Sequence, residues 1–150
     1  MAIDPTTITP TLEQVASHIR NRTLDRGGTA RGTFTATTIP TDVEATGHAA
    51  RAARHVALEL GRPYSTWDGN LADVATDVAA LYAALQIETS YYGDGAGGES
   101  NADQLGRMYR EQLAALQNTA RDNQVGGRRM HSIPIVSAGR RRRPAEDPTP

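Results

Sequence analysis

Two histidines, a run of glycines and a run of arginines are the residues in this chain whose types and spacing could do chemistry. His48 and His55 lie seven residues apart on one face of a helical segment, a separation that could suit a metal ion. Arg51 and Arg54 stand beside them, which makes a poor site for a cation, so both histidines read as solvated or interface residues. Gly93-Asp94-Gly95-Ala96-Gly97-Gly98 contains the letters G-x-G-x-x-G. The dinucleotide fingerprint needs a strand before those letters and a βαβ unit around them. A long helical pattern precedes them here, so they predict a flexible helix-to-helix loop. A P-loop is excluded because the chain contains no lysine, and thiolate metal sites because it contains no cysteine. No spacing pairs carboxylates for acid–base work or sets a histidine beside a nucleophile. The expectation is a protein that is not an enzyme and holds no cofactor and no metal.

The element that must position everything else is a helix predicted over Asn70 to Tyr92. Leu71, Val74, Ala75, Val78, Leu81, Tyr82, Leu85 and Tyr92 fall on one stripe at helical spacing. Asn70 is a suitable N-cap and Gly93 a suitable stop. The other face, with Thr76, Ala80, Ala83 and Ala84, is small rather than charged, so the helix can be covered on more than one side.

Three further helices are expected around it. Thr11 and Gln14 form a capping box for a short helix ending near Arg22, with Leu12, Val15, Ala16 and Ile19 as its buried stripe. Thr41 and Glu44 form a second capping box, and Val43, Gly47, Ala50, Ala53, Ala57 and Leu60 are read as the inward face of the helix that follows, ended by Gly61. A fourth helix runs from Ser100 or Asn101 to about Asn123 on Leu105, Met108, Tyr109, Leu113, Leu116 and Ala120, antiparallel to the central one. Between the first two, residues 23–40 carry Gly27, Gly28 and Gly32 and a β-branched run around Phe34. They predict an extended loop, strand or hairpin arm, with Phe34, Thr35 and Ile39 as the inter-subunit contacts of a ring-forming protein or, alternatively, as a plain surface loop. Tyr64 and Trp67 are expected to plug the end of the bundle, or Trp67 to face a partner. The fold class is all-α: an antiparallel bundle of about four helices.

Only 38% of the residues are hydrophobic and 5% aromatic, and much of the apolar content is alanine, so the core is thin and partner subunits are expected. The N-terminus shows neither a basic nor an apolar segment of a signal peptide, and the longest uncharged apolar run, Val78 to Ile87, is far short of a membrane span. A soluble, intracellular protein is expected.

Charge divides the chain into a body, 1–127, with ten Arg against fifteen Asp and Glu, and a tail, 128–150, with six Arg against two. The tail holds Ser132, Ile133, Pro134, Ile135 and Val136, an apolar strand-length segment, followed by Arg140, Arg141, Arg142 and Arg143. That pattern suits docking on another protein by strand addition. The arginines could equally meet nucleic acid phosphates, or the tail could simply be solvated.

The order of these pieces resembles a known family. Thr23-Leu24-Asp25 and Gly32-Thr33-Phe34 follow the first helix, and Thr38-Ile39-Pro40-Thr41 opens the alanine-rich one. Ile87-Glu88-Thr89-Ser90-Tyr91 ends the long helix, and Tyr109, Leu113 and Leu116 lie on the closing one. From Thr11 to Asn118 the chain resembles the head-to-tail adaptor (connector) proteins of long-tailed bacteriophages, particularly those of actinobacteria. The resemblance implies a structural subunit of the virion neck, assembled in host cytoplasm into a ring, typically twelvefold, between the portal protein and a stopper or tail-completion protein. Genomic DNA would pass through the channel unbound, which an acidic lining favours. On that reading Ser132 to Val136 and Arg140 to Arg143 dock on the portal or a neighbouring subunit. The alternative is a small helical DNA-binding regulator using the helix over 41–60 and the arginine-rich tail.

Overall fold

Threonine starts two of the helices. Thr11 Oγ1 accepts from Gln14 N at 3.2 Å while Gln14 Oε1 accepts from Thr11 N at 2.8 Å, opening α1 (Leu12–His18). At α2 (Asp42–Leu60) the same reciprocal box joins Thr41 and Glu44, and Gly61 closes the helix at φ 59°, the left-handed conformation that glycine adopts without strain. The central helix α3 is Gly69–Tyr91 and the last helix α4 is Asn101–Arg129. Short 3-10 turns at Pro5–Ile8 and Arg20–Arg22 flank α1. The computed structural model describes residues 5–25, 27–61, 67, 69–91 and 101–129, with side chains in α4 as far as Asp122. Tyr64, Tyr92, the glycines of 93–98, Ser132 to Val136 and Arg140 to Arg143 lie outside the described residues.

The chain is all-α, a bundle gathered on α3, which packs against α1, α2, α4 and the first 3-10 turn. Both predicted faces of α3 are covered: Leu71, Val78 and Leu81 are buried on one side, and Ala80, Ala83 and Ala84 on the other. Small side chains let the neighbouring backbones come close, so burial is achieved with little side-chain volume. His48 beside Gln86 and His55 beside Tyr82 show that α2 runs antiparallel to α3. Asn101 beside Glu88 and Tyr109 beside Tyr82 show the same for α4.

Three details differ from the expectation. The inward face of α2 is Ala45, His48, Ala49, Ala52, Ala53, Val56, Ala57 and Leu60, whereas Val43 is 77% exposed. Doublets such as Ala49-Ala50 and Ala52-Ala53 make two adjacent registers equally apolar, so periodicity alone could not choose between them. Val74 of the predicted α3 stripe is 48% exposed. Helix α4 continues through Gly126 and Gly127 to Arg129, beyond the expected end near Asn123. Glycine weakens a helix by about 1 kcal/mol without forbidding it, and a stop needs a left-handed residue or proline.

The 23–40 loop folds onto the body. Among the described residues it forms only isolated bridges, Leu24 with Ala30 and Asp25 with Thr38. Asp25 organises its first half: Oδ1 accepts from Gly27 N and Thr29 N at 2.9 Å each, and Oδ2 accepts from Arg31 Nη2 at 2.7 Å. Thr38 organises the second: its buried hydroxyl accepts from Thr35 N at 2.9 Å and donates to the Pro40 carbonyl at 2.7 Å. Phe34, 3% exposed, is thereby held in the subunit's own core.

Candidate partner-binding surfaces

The histidines turn inward with the register of α2. His55 stacks on Tyr82 at 4.4 Å between centroids, and Tyr82 lies 4.6 Å from Tyr109, so one ring from each of α2, α3 and α4 forms a pile. His48, 6% exposed, reaches Gln86 through Nδ1 at 3.4 Å and meets Tyr91 edge-on. These are packing residues of the subunit, which corrects the expectation of solvated or interface histidines. Burial pushes the Tyr109 hydroxyl far above the usual phenol range, so it stays neutral. Among the described residues no group of three or more His, Asp or Glu could hold a metal ion.

Burial lowers the pKa of His48, with Gln86 partly opposing it, and lowers that of His18, with Asp77 partly opposing it. Both rings are therefore neutral in the fold at a pH where the unfolded chain has begun to protonate them. Stability should be full above the ordinary histidine value of about 6.5 and fall as pH drops through it. Asp25, held low chiefly by the Thr29 amide, and Glu44, held low chiefly by the Thr41 amide, lose their contributions only below the ordinary carboxylate range, about 4. Thermal midpoints measured from pH 7.5 to 5.5 should decline in the parent and decline less in His48→Gln, in which only the His18 contribution is left.

A buried carboxylate ties three elements together. Glu88, 3% exposed, accepts from Arg22 Nε at 3.0 Å and Nη2 at 3.1 Å, and from Asn101 Nδ2 at 2.7 Å. The turn after α1, the end of α3 and the start of α4 thus meet on one side chain. Sequence reasoning missed it, although Glu88 stands one turn after Ala84 and two after Leu81, inside an apolar face.

Two outer surfaces among the described residues are candidates for a partner. On α2 the stripe Val43, Gly47, Arg51, Arg54, Leu58 points away from α3; Leu58 is 73% exposed, and both arginines are exposed with Nε donating to a carbonyl one turn earlier. Ile39, in the loop just before α2, is 58% exposed, and Thr35 is half-buried. Of the three predicted loop contacts, then, Phe34 is internal and Ile39 is outward. The other surface is a groove of about 470 Å³ between α1, α3 and α4, lined by Gln14, His18, Val74, Asp77, Gln112 and Ala115. Asp77 is exposed at its edge, with Asp73 one turn away. Gln86 faces α2, and Asp77 is nine residues before it, about two and a half turns, so groove and stripe lie on opposite sides of the subunit. No helix among the described residues is long and apolar enough to cross a membrane.

No family model matches the chain, and neither a curated protein nor a solved structure matches it.

Proposed function

We propose that this chain is a structural subunit of a tailed bacteriophage, a head-to-tail adaptor whose copies form a ring between the portal and the stopper or tail-completion protein. The observation that carries the reading is the layout. A short capped helix, a loop closed on Asp25 and Thr38, an alanine-rich helix, a long central helix and an antiparallel closing helix stand in the order the resemblance implies. The surplus of acids over arginines in residues 1–127 also supports it, because a channel that DNA slides through should repel phosphates rather than neutralise them.

An antibody raised against the purified protein, applied to particles of the phage that encodes it, should mark the head–tail junction. Particles marked elsewhere, or not at all, refute the adaptor reading. Removing residues 130–150, beyond the end of α4, should leave a body with the parent's circular dichroism and melting that no longer joins portal rings. Unimpaired joining would refute the docking role of Ser132 to Val136 and Arg140 to Arg143.

A second reading draws on Arg51 and Arg54, which α2 presents outward. A helical DNA-binding protein would shift duplex DNA in a salt-dependent manner, losing affinity steeply between 50 and 200 mM salt in proportion to its phosphate contacts, on the order of tenfold or more. Indifference to DNA favours the adaptor.

A further inference from the structure

We propose that the outward stripe of α2 docks into the α1–α3–α4 groove of a second copy of this chain, so that copies join head to tail. The inference rests on the ring reading and names the two faces that build the ring.

Three observations point to it. The faces are on opposite sides of α3, as a repeating head-to-tail contact requires; an isologous dimer would instead use one patch twice. They are also at the same height. His55 sits against Tyr82, and Leu58 lies about one turn further along α2, which places it level with Val78, a residue next to the groove's Val74 and Asp77. A copy displaced sideways, with no shift along the helix axes, brings stripe to groove; a contact without axial rise keeps the copies in one plane, where a rotation between neighbours closes a flat ring instead of winding a filament. Finally, the surfaces complement each other in kind. The stripe offers Leu58 beside Arg54 and Arg51, and the groove offers Val74, 48% exposed, beside Asp77 and Asp73. An apolar contact flanked by opposite charges fixes both partner and register.

The chain has no cysteine, so introduced thiols report on this contact alone. Leu58→Cys with Val74→Cys in one concentrated, mildly oxidised full-length chain should give a ladder of dimers, trimers and longer species on a non-reducing gel. Each single variant should stay monomeric, and a mixture of the two singles should stop at dimers. Leu24→Cys with Ala114→Cys, both exposed and neither on the stripe nor in the groove's lining, serves as the control pair. Added Arg54→Glu or Asp77→Arg should reduce the ladder by about tenfold each, and both together should restore it, since about 1.4 kcal/mol of coupling corresponds to that factor. A ladder no stronger than the control, self-linking of Leu58→Cys alone, or loss of either charge without rescue overturns the inference. A duplex-DNA shift that Arg51→Glu and Arg54→Glu abolish, in protein that gives no ladder, also overturns it by assigning those arginines to phosphates. Necks marked by the antibody but no ladder would leave the adaptor standing and this interface refuted. A ladder with unmarked necks would keep the interface and remove the adaptor.

Discussion

Arg22→Ala should destabilise the fold by about 3 kcal/mol, measured as a fall in the urea midpoint at unchanged slope. The cost comes from what is left behind rather than from the attraction lost. Glu88 is 3% exposed and its Oε1 and Oε2 are held by Arg22 and Asn101, so without the guanidinium a carboxylate remains out of water with one neutral donor. Charge removal on the other side is gentler: in Glu88→Gln a neutral amide oxygen still accepts from Asn101. The double variant Arg22→Ala/Glu88→Gln should therefore be more stable than Arg22→Ala alone, with a coupling of roughly 1–3 kcal/mol in the cycle. If Arg22→Ala costs less than about 1 kcal/mol, the cluster is a surface pair of the ordinary weak kind, and the joint it makes between α1, α3 and α4 is dispensable.

The parts of this fold that could be read in the sequence are those whose cause is local. Thr11 with Gln14 and Thr41 with Glu44 are three residues apart, and each box forms with the predicted partners. The doubly covered central helix was also legible, because alanine on the back of an apolar stripe tolerates a close neighbour on either side. What could not be read depends on distant choices. The register of α2 is settled by its fit to α3, since Ala49-Ala50 and Ala52-Ala53 make both options apolar. Once it shifts, Val43 goes to the surface while His48 and His55 go to Gln86 and Tyr82. The Glu88 pair with Arg22 spans 66 residues, beyond the reach of any spacing rule. The groove beside Asp77 exists only once three helices are assembled.

Local chemistry likewise explains why the 23–40 loop folds back. Glycine and β-branched residues signalled an extended segment, but the deciding groups are Asp25 and Thr38. One carboxylate takes two backbone amides and an arginine, and one hydroxyl bridges Thr35 and Pro40. These contacts convert a segment with few apolar residues into a lid over Phe34. They leave Ile39 outside while Phe34 is buried, so only Ile39 of these two is placed to meet another molecule.

Leu81→Ala should cost about 4 kcal/mol, in the upper half of the range for a buried leucine. Leu81 is fully buried on the central helix, and few large side chains share the interior with it; Ile87 and Leu116 are among them. In a core rich in leucine, neighbours can change rotamer and partly fill the space left by a truncation. Here the residues on either side along the chain and one turn on, Ala80, Tyr82 and Leu85, offer one alanine with no rotamers, a tyrosine fixed in the ring pile and a leucine already in contact with α4. Collapse would have to come from movement of whole helices, which the close alanine contacts already limit. For a chain of this length about 4 kcal/mol corresponds to a drop of roughly 8–16 °C in the thermal midpoint. Val74→Ala on the same helix, at the exposed edge of the groove, should shift it by less than about 2 °C, on the scale of ordinary surface changes. A Leu81→Ala cost near 1 kcal/mol would mean that the helices slide readily on their alanine faces, and a subunit so compliant could not hold the stripe and the groove at a fixed height.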